Sequence, residues 1–236
     1  MKPVLLIAIN FAREQRWPIL TLLLWVLLLA FLGLVTDIHR QREDLLFVFK
    51  QDAVYVLAFS VFFGGSAIYN ERRSRRILGV LSKAVGRQQY LSGLVLGSTL
   101  ACAVHCFALG MTGSWTLGGA GFPISRVWFL MVCLVSACML AGTVALMFST
   151  FLNPFFAAGA TAMVLGLPVL TGQILGPQWN YVIPVWQLGA TVLNCSFKDP
   201  GTTSWLPVVL AGAETLVFWL LSARIFAYVD IAVAVE

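Results

Sequence analysis

The stretch PILTLLLWVLLLAFLGLV, residues 18–35, decides the fold class of this chain. It contains no charged side chain, and its length approaches the ~20 apolar residues with which a helix crosses the hydrocarbon core of a bilayer. Basic residues precede it, as in a signal peptide, but the apolar run is too long for one, and no small-residue cleavage site follows before Asp37. The stretch therefore predicts a transmembrane helix that the protein retains.

Five further apolar runs follow along the chain, and polar segments separate them. The runs cover residues 53–69, 90–111, 127–150, 155–175 and 205–226, with the polar stretch 37–50 and the glycine-rich segment 112–125 predicted as loops. Of the 236 residues, 60% are hydrophobic and 11% are charged, against roughly 25% charged residues in an ordinary soluble domain. The sequence therefore predicts an all-α, polytopic membrane protein whose six transmembrane helices form a single domain over residues 1–236.

The N-terminal segment, residues 1–16, differs from these spans because it mixes apolar and polar side chains. As a helix it would place Val4, Ala8 and Phe11 on one face, with Arg13 among its polar residues. Such a helix can lie in the plane of the membrane interface. We predict an N-terminal interfacial helix here; the alternative is a frayed lead-in to the first span.

Basic residues are distributed unequally between the two sides of the predicted membrane. If the N-terminus is cytoplasmic, ten of the 15 Lys and Arg residues lie inside and five lie outside, and residues 71–87 hold most of the excess. Since cytoplasmic loops are enriched in Lys and Arg, this distribution favours cytoplasmic N- and C-termini. Topology also accounts for the net charge of +5, so a nucleic-acid partner is not expected.

The loop 71–87, ERRSRRILGVLSKAVGR, carries the most functional information in the chain. A cluster of charges is followed by an apolar stripe, in which Ile77, Leu81 and Ala84 recur at helical spacing. A short helix with such a stripe and a basic flank is typical of an element that docks a partner protein; the alternative is a loop whose positive charges only fix the topology. The predicted partner-coupling residues are Glu71, Arg72, Arg73, Arg75, Arg76, Ile77, Leu78, Leu81, Val85 and Arg87.

This loop and the start of the third span together form a motif. Glu71 ends the second span, the run LSKAVGR follows at residues 81–87, and Tyr90, Leu91 and Gly97 open the third span. The arrangement resembles the signature of ABC-2 type permeases. In that family an acidic residue is followed by a Leu-Ser-(Lys/Arg)-Pro-(Val/Ile)-Ser-Arg-like stretch, an aromatic-Leu pair and a Gly.

The sequence departs from the family pattern at three positions. Ala84 stands where Pro is frequent, Gly86 where Ser is frequent, and Leu94 where a Lys commonly follows a Gly. The six-span layout agrees with the family, as does the long aromatic segment at residues 176–203, before the last span. The resemblance thus covers nearly the whole chain at the level of architecture, and it implies short re-entrant helices within residues 176–203.

The resemblance implies a membrane-spanning permease subunit of an ABC transporter in the bacterial inner membrane. Two such subunits would pair as a homodimer or heterodimer, surrounded by membrane lipid. Each would dock a separate ATP-binding cassette subunit that carries ATP and Mg. The loop 71–87 would contain the coupling helix, and the substrate would usually move outward, as in an exporter.

The chain lacks the elements of a nucleotide-driven motor. A P-loop needs Gly-x-x-x-x-Gly-Lys-Ser/Thr, and none of Lys2, Lys50, Lys83 and Lys198 follows a Gly. We therefore expect no enzymatic activity and no cofactor in this chain itself. Two other classes stay open: a non-transporting scaffold or sensor subunit on the same bundle, and an intramembrane enzyme. The enzyme is the weaker alternative, because it needs a constellation of polar residues and the chain has only two histidines.

A carboxyl group in the last predicted span is a further candidate site. Charged groups inside a bilayer are costly, and they often mark substrate paths or contacts between helices. Glu214 is therefore a candidate for a substrate path or a subunit interface; the alternative is a neutral carboxyl group that is hydrogen-bonded to a neighbouring helix. Asp52 is predicted to lie near a span end, and no role is assigned to it.

Thiols and one imidazole recur in the third and fourth predicted spans. Cys102, His105 and Cys106 share one helical face, and Cys133 and Cys138 lie at similar depths in the next, antiparallel span. Facing each other, these residues would be weak candidates for a soft-metal site. The alternative is that the cysteines are small apolar packing residues and that the histidine bonds a neighbouring backbone group.

Overall fold

A computed structural model describes residues 2–35, 42–73, 86–119, 121–175, 182–194 and 200–228. All regular elements in this part of the chain are helices. They are α1 (Lys2–Glu14), α2 (Arg16–Val35), α3 (Arg42–Arg73), α4 (Arg87–Gly119), α5 (Ile124–Ser149), α6 (Pro154–Leu175), α7 (Val185–Leu193) and α8 (Leu206–Tyr228). The all-α fold class predicted from the sequence is therefore confirmed for these residues.

Four of these helices are long and apolar enough to cross a membrane, namely α3, α4, α5 and α8. The pair α1 and α2 passes the same test together, with a bend of 64° between its two helices, so that the number rises to five if the pair is one span. The chain is thus a helical protein with several potential membrane-crossing helices. The expected six spans are met only in part.

Two predicted loops are wrong in part, because a neighbouring helix extends into each. Helix α3 begins at Arg42, so most of the polar stretch 37–50 is helical. Glu43 and Asp44 occupy the first turn of this helix, where the helix dipole stabilises acidic side chains. Helix α4 continues to Gly119, which removes half of the predicted loop 112–125. Both extensions contain polar residues, so their mean hydropathy is low. A prediction from hydropathy therefore ended the helices too early.

The two extensions pack against each other at the same end of the bundle. Leu45 and Phe49 lie one turn apart on α3, and both are buried. The ring of Phe49 fits against Gly113 of α4, where a Cβ atom would lie 3.1 Å from it. Tertiary packing, rather than local hydropathy, thus keeps both segments helical.

Helix α5 is the centre of the bundle, and it contacts α3, α4, α6, α7 and α8. Its most extensive interface is with α3. The two backbones approach most closely where Gly64 of α3 meets Gly142 of α5, since a Cβ atom on Gly64 would overlap the carbonyl oxygen of Gly142. Small residues allow this approach, as they do in other tightly packed membrane helices.

The N-terminal helix α1 packs along the first turns of α4. Ala8 and Phe11 are buried on the predicted face, and that face contacts Gly93 and Gly97 of α4, where added Cβ atoms would lie 2.6 Å from Ile7 and 2.9 Å from Phe11. The predicted helix is confirmed, as is the shared face of Ala8 and Phe11, and its position at the membrane interface stays a prediction. The face contacts protein, however, because the two glycines open a groove for it.

In the described residues of the predicted outer segment, 182–194 and 200–203, the structure contains one short helix, α7. Val185, Leu188 and Val192 are buried, and α7 packs mainly on α5. Trp205, just beyond this segment, lies edge-on to Phe129 with ring centroids 5.2 Å apart. Helix α7 and Trp205 thus both pack onto α5.

Candidate functional site

The structure describes the helix ends on both sides of the predicted coupling loop. Helix α3 ends at Arg73, and α4 begins at Arg87. We call this end of the bundle the loop end. Residues 74–85 lie outside the described part of the chain, so the predictions for six coupling residues stay predictions; these are Arg75, Arg76, Ile77, Leu78, Leu81 and Val85. Arg72 lies within the last turn of α3, like Arg73.

Four side chains meet at the loop end, and we call them the junction cluster: Glu71, Arg87, Tyr90 and Phe226. Glu71, in the last turn of α3, is buried, and so is Tyr90 in the first turn of α4. The carboxyl group of Glu71 and the hydroxyl group of Tyr90 lie close enough to interact electrostatically. This contact connects the helix that enters the loop with the helix that leaves it.

Arg87 extends the junction cluster to α8. Its Nη1 donates hydrogen bonds to the backbone carbonyl oxygens of Phe226 and Ala227, each at 2.8 Å. These carbonyls belong to the last turn of α8, where helical partners are lacking and a positive charge is favourable. The guanidinium carbon also lies 5.8 Å from the centroid of the Phe226 ring. Arg87 therefore caps the C-terminal end of α8.

Aromatic stacking completes the junction cluster. The rings of Tyr90 and Phe226 are nearly parallel, with an interplanar angle of 19° and centroids 6.4 Å apart. Sequence reasoning named Glu71 and Arg87 as coupling residues, and the structure brings both into the cluster. It missed Phe226, because nothing in the sequence relates that residue to a position 139 residues earlier. The cluster connects three helices, α3, α4 and α8, through side-chain contacts.

The histidine of α4 bonds backbone, as the alternative interpretation expected. His105 is fully buried, and its Nε2 lies 3.0 Å from the carbonyl oxygen of Ile19 in α2. Because a carbonyl can only accept, Nε2 carries the proton. The ring also lies edge-on to Phe59 at 6.5 Å. His105 therefore connects α2 to α4.

The structure brings three of the four span cysteines together. Cys138 of α5 interacts with both Cys102 and Cys106 of α4, and its thiol also contacts Ser60 of α3; Cys133 is buried as well. Among the residues that the structure describes, no group of three or more His, Cys, Asp or Glu residues is arranged to hold a metal ion. The weak metal-site prediction stays a prediction, and the buried thiols lie in the small space between closely packed helices.

Glu214 lies in α8, as predicted, and is partly buried. Its Oε2 atom is enclosed, and no donor to it is found within residues 2–35, 42–73, 86–119, 121–175, 182–194 and 200–228. A carboxyl oxygen without a donor is costly inside a membrane. Glu214 thus stays a candidate for a substrate path or a subunit interface.

Asp52 is a residue that sequence reasoning misplaced. It is 3% exposed, and its Oδ1 atom has no hydrogen-bond partner in the described ranges. The prediction put it near a span end, but α3 begins ten residues earlier, at Arg42. The spacing of Leu45 and Phe49, one helical turn apart, is the signal that would have revealed the longer helix.

Comparisons with family models, with curated proteins and with solved structures found no match to this chain. Its functional interpretation therefore depends on its own residues and their geometry. Two arrangements are candidates for a functional site: the junction cluster at the loop end, and the buried carboxyl group of Asp52 near the opposite end of the bundle.

Proposed function

We propose that this chain is the membrane-spanning permease subunit of an ABC transporter of the ABC-2 type. With a second permease subunit it would form the translocation path, and a separate ATP-binding cassette subunit would supply the energy. Outward transport is the expected direction, and both termini would face the cytoplasm of a bacterial cell. The observation that most supports this proposal is the junction cluster, because it includes residues at both ends of the basic, amphipathic loop 71–87.

In this proposal six helices cross the membrane, namely α2, α3, α4, α5, α6 and α8. Helix α6 has 22 residues, which at 1.5 Å per residue gives a length of about 33 Å. The hydrocarbon core of a bilayer is about 30 Å thick, so the length of α6 is sufficient. The loop 71–87 then connects the second and third spans, which is where the resemblance to ABC-2 type permeases places the coupling helix.

The junction cluster gives this coupling a physical route. A displacement of the loop reaches α3 and α4 directly, through the backbone at Glu71 and Arg87. It reaches α8 through the two hydrogen bonds that Arg87 donates to its last turn. Small shifts of packed helices are a common form of such conformational change. Three helices would therefore respond to one docked partner.

Replacing both Ile77 and Leu81 with Glu is expected to prevent the ATP-binding subunit from co-purifying with the tagged chain. Two carboxylates in an apolar docking contact would lose their hydration without gaining partners. We expect at least a tenfold loss of a P-loop protein, identified by mass spectrometry, from detergent extracts of the native host.

The matched control replaces Gln88 and Gln89 with Glu. Both residues are exposed in the first turn of α4, so the added charge is equal and near, but it lies outside the apolar stripe. We expect co-purification to persist in this control. An intact complex in the Ile77 and Leu81 variant would contradict docking, and the absence of any P-loop protein with the wild-type chain would contradict the transporter proposal.

The orientation has its own test, which uses a cysteine placed at Ser74 in a Cys195→Ser background. The four cysteines in the helices are buried, so a single reactive thiol remains. An impermeant thiol reagent is expected to leave it unlabelled in whole cells and to label it after lysis. A cysteine at the exposed Thr202 is the control, and it should label in both cases. Labelling of position 74 in intact cells would overturn the topology.

A further inference from the structure

A small cavity lies between α2, α3 and α4, near the end of the bundle opposite the loop end. Its volume is about 40 Å³, and apolar side chains of α2, such as Val26, form one wall. Its polar lining residues are Asp44 and Asp52 of α3, and Thr112 and Thr116 of α4. Neither the junction cluster nor the proposed transport function accounts for this arrangement.

Asp52 is the innermost acidic group of the cavity. It is 3% exposed, and its Oδ1 atom finds no donor anywhere in the described part of the chain. A buried carboxyl oxygen without a partner costs free energy unless a proton or a cation compensates it. Because Asp52 lines the cavity, its unpartnered carboxyl group is expected there to carry a proton or to bind a cation.

The two threonines that line the same cavity carry neutral oxygen atoms. The Thr112 hydroxyl lies 3.0 Å from the Ala108 carbonyl oxygen, to which it donates, and the Thr116 hydroxyl donates to the Thr112 carbonyl oxygen at 2.9 Å. Because each hydroxyl hydrogen is used within α4, the oxygen lone pairs remain available to accept. Hydroxyl and carboxylate oxygens are suitable ligands for hard cations.

Asp44 lies at the entrance of the cavity. It is exposed, and it precedes Asp52 by eight residues on α3, which corresponds to about 12 Å along the helix. A carboxylate at the mouth of an apolar-walled cleft raises the local concentration of cations. Asp44 thus lies at the exposed entrance of the cavity, and Asp52 lies at its buried end.

We propose that this cavity binds a small monovalent metal cation, with Asp52 as its charged ligand and Thr112 and Thr116 as neutral ligands. One buried carboxylate balances one positive charge, whereas calcium sites use six to eight oxygens, several of them from carboxylates. A cavity needs about 10–15 Å³ to hold one water molecule, so 40 Å³ accommodates a small ion with one or two waters. This inference does not depend on the transporter proposal.

The test measures thermal unfolding of the purified full-length chain in detergent, followed by tryptophan fluorescence. Sodium chloride and potassium chloride are titrated against choline chloride at equal ionic strength, because choline is too large for the cavity. We expect a saturable rise in Tm of roughly 5 °C with at least one of the two metal ions, and none with choline. Asp52→Asn is expected to abolish the rise.

Glu43→Gln is the matched control for this experiment. Glu43 is exposed beside Asp44 in the first turn of α3, but it does not line the cavity. Its variant removes one negative charge at the same end of the bundle and is expected to keep the full response. Asp44→Asn should raise the half-saturating salt concentration several-fold and leave the maximal rise in place.

A second variant keeps the inference testable if Asp52→Asn does not fold. The double variant Thr112→Val and Thr116→Val retains the carboxylate and the side-chain shapes, and it is expected to weaken cation binding at least fivefold. Three results would overturn the proposal. They are a wild-type chain without a saturable response to either metal ion, a response that survives Asp52→Asn, and an unchanged affinity in the double threonine variant.

Discussion

Gly64→Ala is expected to destabilise the bundle severely, whereas Gly65→Ala, one residue later, is expected to be tolerated. A Cβ atom at position 64 would overlap the carbonyl oxygen of Gly142 and would lie 3.0 Å from the Cβ atom of Ala145. Backbone cannot move aside as a flexible side chain does, so α3 and α5 would have to separate. Overpacking of this kind costs about 3 kcal/mol, and more where backbones collide.

The neighbouring glycine provides a close control. A Cβ atom at position 65 would meet its nearest atom, the carbonyl oxygen of Pro154, at 3.6 Å, which is an ordinary contact. Alanine there should be neutral, or stabilise α3 by up to about 1 kcal/mol through helix propensity. Gly142→Ala should fall between the two, because its Cβ atom would lie 3.3 Å from the Ser60 carbonyl oxygen. The measurements are the yield of monodisperse protein and Tm in detergent, and equal stability of both α3 variants would contradict this account.

Arg87→Met is expected to release the end of α8 and, in the transporter proposed above, to uncouple ATP hydrolysis from transport. The variant keeps an unbranched side chain near Phe226 but loses two charged hydrogen bonds to α8, which together are worth about 2–3 kcal/mol. If that energy holds the last turn closed, its amides should exchange with deuterium on the order of 30-fold faster or more. Mass spectrometry of peptides covering residues 222–228 measures this directly.

Two further variants separate this positioning role from a general loss of stability. Gln88→Met changes the adjacent, exposed residue and should leave exchange in α8 unchanged. Arg87→Lys keeps the charge without the planar guanidinium fork and should give an intermediate rate. In the proposed transporter, Arg87→Met should retain the bound ATP-binding subunit and its ATP hydrolysis, but lose substrate transport. Normal exchange in α8, or undiminished transport, would refute the coupling role.

Much of the fold follows from segments that are apolar throughout. The run at residues 18–35 and the centres of α3, α4, α5 and α8 are recognisable because each is a continuous apolar stretch of sufficient length. The helix ends were harder to predict, as residues 42–50 and 112–119 show. These extensions are helical because Phe49 packs on Gly113, a contact between segments that no local average contains.

The functional candidates divide in the same way. The basic loop and its resemblance identified Glu71 and Arg87 as residues of interest, and their sequence neighbourhood was sufficient for that. Their partners could not be predicted, since Phe226 lies 139 positions from Arg87. Asp52 was misjudged because its depth in the bundle depends on where α3 begins, and that start is decided by packing.

The sequence by itself determined that the described part of this chain is helical, with potential membrane-crossing helices, and that the chain has one strongly basic segment. It could do so because hydropathy, helix length and charge are properties of single segments. Only the tertiary structure decided that Arg87 caps α8, that Gly64 meets Gly142, and that a buried carboxyl group faces a small cavity. Helical spacing determines which residues share a face of a helix. The packing of the whole bundle determines which neighbouring helix that face contacts.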